Sequence, residues 1–233
     1  KRIPYPIVAL VGYTNAGKST LFNRMTQSHV FAEDLLFATL DPTMRKISLP
    51  GGQPVILSDT VGFISDLPTE LVAAFRASLE EVLEADLIVH VRDITHIDTG
   101  AQRQDVLDVL KRLGVDTDDE GTYLEVLNKI DVLEAEEKEK LYNSTERGEG
   151  QVAISAITGE GTETFLHRIE DLLTARQKVL EFDIPAEDGA TLSWIYRNGT
   201  VLDRVDQEET VHIEAKFSPE NLGRLKKILK KDL

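Results

Sequence analysis

Between the apolar run Ile7-Val8-Ala9-Leu10-Val11 and a stretch carrying Leu21, Phe22 and Met25 at helix spacing lies Gly12-Tyr13-Thr14-Asn15-Ala16-Gly17-Lys18-Ser19. This satisfies G-x-x-x-x-G-K-[ST] in full and in the strand–loop–helix context the motif requires. The two glycines let backbone N–H groups turn inward around a diphosphate, and the helix N-terminus adds a favourable partial charge. Lys18 is expected to reach the β- and γ-phosphates as a point charge, and the Ser19 hydroxyl to ligate Mg²⁺. The bland alternative is a Gly-rich turn that happens to carry a lysine; the complete spacing and both flanks argue against it.

The rest of the chain supplies the expected surroundings. At 233 residues it is long enough for one good-sized domain and a small second one. The longest apolar runs are far too short to span a bilayer. The net charge of −15 argues against a protein that coats nucleic acid through overall charge, although a local basic patch can still bind RNA. Cysteine is absent, so disulfides and Cys-based metal sites are excluded, which fits a cytoplasmic protein. Lys1-Arg2-Ile3-Pro4-Tyr5-Pro6 does not read as a signal peptide, and so short a lead into the first strand suggests a fragment lacking an N-terminal portion.

Taken in order, a strand is expected at about 6–11, then the loop and a helix to about 27. An irregular segment, His29 to Pro42, precedes a hairpin, about 43–49 and 53–58, turned by Pro50-Gly51-Gly52. A long amphipathic helix is expected from about Pro68 to Glu84, with Leu71, Phe75, Leu79 and Val82 on one face. Buried-strand runs recur at Leu87-Ile88-Val89-His90-Val91, Tyr123-Leu124-Glu125-Val126-Leu127 and Val152-Ala153-Ile154, alternating with helices about 100–113, 133–143 and 162–179. That alternation predicts a doubly wound, mostly parallel α/β sheet over 1–180. From 181 to 233 the pattern predicts a small α+β domain. It has a strand at 181–184, a helix at 190–197, strands at about 200–206 and 210–217, and a last helix started by Ser218-Pro219.

Three further constellations narrow the ligand. Asp59-Thr60-Val61-Gly62 closes a strand, where the carboxylate can hold Mg²⁺ through water and the Gly62 N–H can touch a γ-phosphate. Asn128-Lys129-Ile130-Asp131 closes another. Its Asp131 carboxylate can accept from the N1–H and the 2-amino group of guanine, donors that adenine lacks, so ATP would leave a desolvated carboxylate unpaired. The Lys129 stem can lie over the ring face. Ser155-Ala156-Ile157, at the next strand end, offers backbone N–H groups to the guanine O6.

In order across residues 7–176 these motifs resemble those of the translation-factor-related class of GTPases. Gly12 to Thr20, Phe37-Ala38-Thr39-Leu40-Asp41-Pro42-Thr43 and Asp59-Thr60-Val61-Gly62-Phe63-Ile64 are similar to the HflX family. Asp66-Leu67-Pro68-Thr69-Glu70-Leu71-Val72-Ala73-Ala74-Phe75-Arg76 is the most specific match, because related Obg-type GTPases differ there. The resemblance implies that Thr39 is the switch-one threonine, with its hydroxyl on Mg²⁺ and its N–H on the γ-phosphate. Spacing alone does not select Thr39 over Thr43. It also implies a GTP state that docks on the large ribosomal subunit, with roles in ribosome splitting, rescue or biogenesis.

In Ras-like enzymes a glutamine follows the D-x-x-G glycine and orients the attacking water. Phe63 occupies that place here, a substitution the family shares, so slow intrinsic hydrolysis accelerated by a partner is the expectation. The competing reading is a GTP-gated binding module for a protein or membrane partner, in which hydrolysis is incidental. Peripheral membrane association therefore stays open beside a cytoplasmic location, and a monomer that binds no DNA is expected. Arg224, Lys226, Lys227, Lys230 and Lys231 read as a solvated helix end before an RNA contact, and Trp194 as core before a base-stacking platform. His29, His90, His96, His167 and His212 show no metal-ligand spacing.

Overall fold

The computed structural model describes residues 5–27, 43–60, 82–119, 121–145, 148 and 150–229. The chain divides into two compact units, Lys1–Leu172 and Leu173–Leu233.

In the first unit every residue of β1 (Ile7–Val11) is buried, as a strand covered on both faces requires. The phosphate-loop segment follows it directly and leads into α1 (Lys18–Thr26). β2 (Thr43–Ser48) and β3 (Pro54–Asp59) form the expected hairpin, closed by Gly52 N–H on the Leu49 carbonyl at 2.8 Å. After these come β4 (Leu87–Asp93), α2 (Thr99–Arg112), β5 (Tyr123–Asn128), a 3₁₀ turn at Ile130–Val132, α3 (Ala135–Thr145), β6 (Gln151–Ala153) and α4 (Thr162–Ala175). The strand order is β2-β3-β1-β4-β5-β6, with β2 antiparallel at one edge and every other pairing parallel. The sheet is the predicted doubly wound one.

This order matters for function. From β1 the chain lays strands first to one side, as β3 and β2, and then to the other, as β4, β5 and β6. The carboxyl end of β1 is therefore a topological switch point, where doubly wound sheets open a crevice for ligands. Beneath that crevice Val11, Val82, Ile88, Val106, Leu107, Leu110 and Tyr123 form a buried cluster that fixes α2 to the sheet. Each such side chain stabilises the fold by about 1.5–3 kcal/mol relative to exposure. Of the helix expected over 68–84, only the end from residue 82 lies among the described residues.

The second unit contains β7 (Lys178–Pro185), α5 (Gly189–Asn198), β8 (Thr200–Asp206), β9 (Thr210–Phe217) and α6 (Pro219–Leu229). Its three strands pair antiparallel in the order β7-β9-β8, giving the predicted α+β arrangement. Alternation puts Val211, Ile213, Ala215 and Phe217 inside, packed with Phe182, Ile184, Ile195 and Leu225. Both helices carry side-chain caps: Thr191 N–H donates to Asp188 at 3.0 Å, and Asn221 N–H to the Ser218 hydroxyl at 3.3 Å. Trp194 belongs to this core, stacked on Phe217 with ring centroids 6.3 Å apart. The largest boundary difference from the sequence reading lies where the two units meet in sequence. The helix expected over 162–179 ends at Ala175, because Leu180, Phe182 and Ile184 share one face at period two and draw Lys178–Leu180 into β7.

Candidate nucleotide-binding site

Five segments leave the carboxyl ends of parallel strands along one edge of the first unit. They are Gly12–Gly17 after β1, Asp59 and Thr60 at the end of β3, Asp93 at the end of β4, Asn128 to Asp131 at the end of β5, and Ser155 to Ile157 beyond β6. The sequence-predicted residues therefore converge, apart from Phe37, Ala38, Thr39, Leu40, Asp41, Val61 and Gly62, which lie outside the described residues, as does Phe63.

At the phosphate end, Asn15 (φ 61°) and Gly17 (φ 99°) adopt left-handed conformations within the loop, the backbone alternation that turns successive N–H groups into an anion-binding concavity. Gly17 is required twice over: its φ is costly for other residues, and a Cβ there would lie 2.2 Å from the Asn128 amide nitrogen. Lys18, Ser19 and Thr20 form the first turn of α1. Buried Lys18 donates to the carbonyls of Gly12 and Tyr13 at 3.1 and 2.9 Å, so its ammonium spans the loop from below. Burial pulls its pKa down to about 8, with the Asp59 charge acting in the opposite direction.

The Ser19 hydroxyl donates to Asp59 Oδ2 at 2.8 Å, and Thr60 ties the end of β3 to β1 through the Leu10 carbonyl at 2.5 Å. A hydroxyl and a carboxylate meeting beside a phosphate loop are hard oxygen donors. They form the sparse set Mg²⁺ uses when phosphates and waters complete its shell, so these residues fit that ion. Thr43 opens β2, paired with Asp59 across the hairpin.

At the other end Asn128 joins the two halves. Its amide nitrogen donates to the Ala16 carbonyl in the phosphate loop, and its amide oxygen accepts from the Ala156 N–H, both at 2.9 Å. The Ser155 hydroxyl donates to Asp131 Oδ1 at 2.6 Å, fixing that carboxylate from below. Lys129 has a positive φ of 73° and sends its ammonium to Asp93 Oδ2 at 2.7 Å. Burial pushes the Asp93 carboxyl up, but hydrogen bonds from Lys129 and Thr95 outweigh it and hold it below the usual carboxylate range.

Two features here were not found from the sequence. Asp93 is one, legible only through its register opposite Asn128 on β5. The other is a buried ion cluster under α2, in which Glu125 pairs with Arg92 and Arg103, and His90 hydrogen-bonds the Tyr123 hydroxyl at 2.6 Å. The signal for it was a carboxylate in the middle of an apolar strand, which demands cations nearby.

The fold and this arrangement of strand-end loops define a P-loop GTPase domain. Residues 7–129 match the family described as "50S ribosome-binding GTPase", and residues 140–231 match the HflX C-terminal domain. The chain is 44% identical over 223 residues to the GTPase HflX of Magnetococcus marinus, covering 96% of this chain and 50% of that protein. It is 40% identical over 210 residues to the GTPase HflX of Lacrimispora saccharolytica, covering 90% and 48%. Among solved structures, a GTP-binding protein from Sulfolobus solfataricus in complex with GDP superposes with a TM-score of 0.55 at 28% identity, covering 72% of this chain and 52% of that one. The chain belongs to the HflX family of GTPases. It spans about half the length of the curated relatives it matches.

Proposed function

We propose that this chain binds GTP with Mg²⁺, hydrolyses it slowly, and uses the GTP-to-GDP step as a switch on the large ribosomal subunit, in splitting, rescue or biogenesis of ribosomes. The observation that carries the nucleotide part is the Asn128 bridge, which holds a phosphate-cradling loop and a base-facing loop at fixed separation. Asp131, held by Ser155, retains lone pairs for the N1–H and 2-amino group of guanine. Lys18 would exchange loop carbonyls for β- and γ-phosphate oxygens, and Ser19 and Asp59 would hold Mg²⁺. That ion neutralises charge on the phosphates during phosphoryl transfer. Thr39 and Gly62 are assigned to the γ-phosphate, so its loss would release both switch segments. The ribosomal part is supported by the description of the matched family as ribosome-binding.

The test is single-turnover GTP hydrolysis with and without isolated large subunits. Acceleration of roughly 10³-fold is expected, the scale at which partners complete such sites. No acceleration, with GTP still bound, would overturn the ribosomal part. Pelleting with a non-hydrolysable GTP analogue adds a second check, because failure to sediment with subunits would point to a different partner.

A further inference from the structure

Arg24 stands in the last turn of α1, remote in sequence from the base-facing loop. Its Nε donates to the Ala156 carbonyl at 2.6 Å, and its Nη2 donates to the Ile157 carbonyl. The loop closes tightly around this guanidinium: a Cβ at Gly159, where φ is +91°, would lie 2.7 Å from Arg24 Nη1. The peptide bonds here are trans, so each carbonyl and the N–H that follows it point in opposite directions across one plane. Holding the Ala156 carbonyl toward α1 therefore turns the Ile157 N–H away from α1. Holding the Ile157 carbonyl likewise sets the Thr158 N–H, which donates to the Ser155 hydroxyl at 3.1 Å; that hydroxyl in turn donates to Asp131. Because the Ala156 N–H is already engaged by Asn128, the next donor of the loop is the Ile157 N–H.

We propose that Arg24 is a positioning residue for base recognition, which aims the Ile157 N–H at the O6 of a 6-oxopurine nucleotide by gripping two consecutive carbonyls. The proposal rests on the guanine-binding reading above. A planar fork can hold two carbonyls at once, whereas a lysine ammonium on a flexible stem holds them without fixing the planes. Arg24 also belongs to the helix that opens with Lys18 and Ser19, so it ties base reading to the phosphate end by a route independent of Asn128.

The experiment compares Mg²⁺-dependent binding of GTP, ITP and 2-aminopurine riboside triphosphate to the wild-type chain and to Arg24→Met and Arg24→Lys. ITP keeps O6 and the N1–H and lacks the 2-amino group; the 2-aminopurine analogue keeps the amino group and lacks O6 and, with it, the N1–H. Loss of one well-aimed hydrogen bond predicts that Arg24→Met weakens GTP and ITP together by about fivefold to tenfold, while the 2-aminopurine analogue changes little. Arg24→Lys should recover only a small part. A merely structural role would weaken all three nucleotides alike, and that result, or no loss at all, or full recovery with lysine, overturns the assignment of Arg24. A wild-type chain that binds GTP and the 2-aminopurine analogue equally well would overturn the base-recognition reading itself, and this proposal with it.

Discussion

Lys18 pairs a buried position with a charge that the site needs. With a pKa near 8 in the folded chain and 10.5 as its ordinary value, the unfolded chain holds a proton that the native one lacks across that window. Stability of the ligand-free protein should therefore rise with pH between these values, and the cost of burying the cation is fully present below them. Nucleotide binding runs the other way, because phosphate oxygens favour the ammonium form. Calorimetry of GDP binding at about pH 9, in buffers of differing ionisation enthalpy, should register uptake of up to about one proton by the wild type. Lys18→Arg, whose guanidinium does not titrate in this range, should lose that uptake from whatever binding remains. Equal proton counts in the two proteins would mean that Lys18 is already fully charged before ligand arrives.

Among the elements, β4, β5 and α2 are joined by charge as well as by apolar packing. Glu125 is buried on β5; burial pushes its carboxyl up, but Arg92 from β4 and Arg103 from α2 hold it below the usual range. Glu125→Ala would leave Arg92, whose side chain is 14% exposed, without its carboxylate. Urea unfolding should show a loss of about 2–3 kcal/mol, the low side for a broken buried pair because Arg103 can turn to water. No measurable loss would mean that the cluster is stabilisation-neutral. The carboxylate of this cluster was visible in the sequence, but its partners were not, because they come from a neighbouring strand and a crossover helix. The strands β1, β4 and β5 were legible for a related reason: a continuous apolar run has few homes other than the middle of a parallel sheet. Lys178 and Val179 were assigned to the preceding helix because a few residues beside a helix carry too few repeats to separate period two from 3.6. The phosphate and base motifs were legible because each is a short contiguous stretch, eight residues from Gly12 to Ser19 and four from Asn128 to Asp131. Arg24 was not, since its meaning depends on carbonyls more than a hundred residues away.

At the scale of the whole molecule, ligand and fold are linked by mass action. A ligand that binds only the native chain stabilises it by about 2.7 kcal/mol at a hundredfold excess over Kd. Melting should therefore shift upward with Mg²⁺ and GDP and stay put with Mg²⁺ and ADP; equal shifts would show that Asp131 does not discriminate. The alignment of the five described site segments on the carboxyl edge of the sheet also bears on how the protein can be modified. The turns at 49–53 and 113–119 enter strands from the opposite edge, and the predicted ligand-binding residues that are described sit elsewhere. Those two turns are the natural places to splice in an affinity tag, attach a dye or cut and rejoin the polypeptide, leaving the nucleotide pocket untouched.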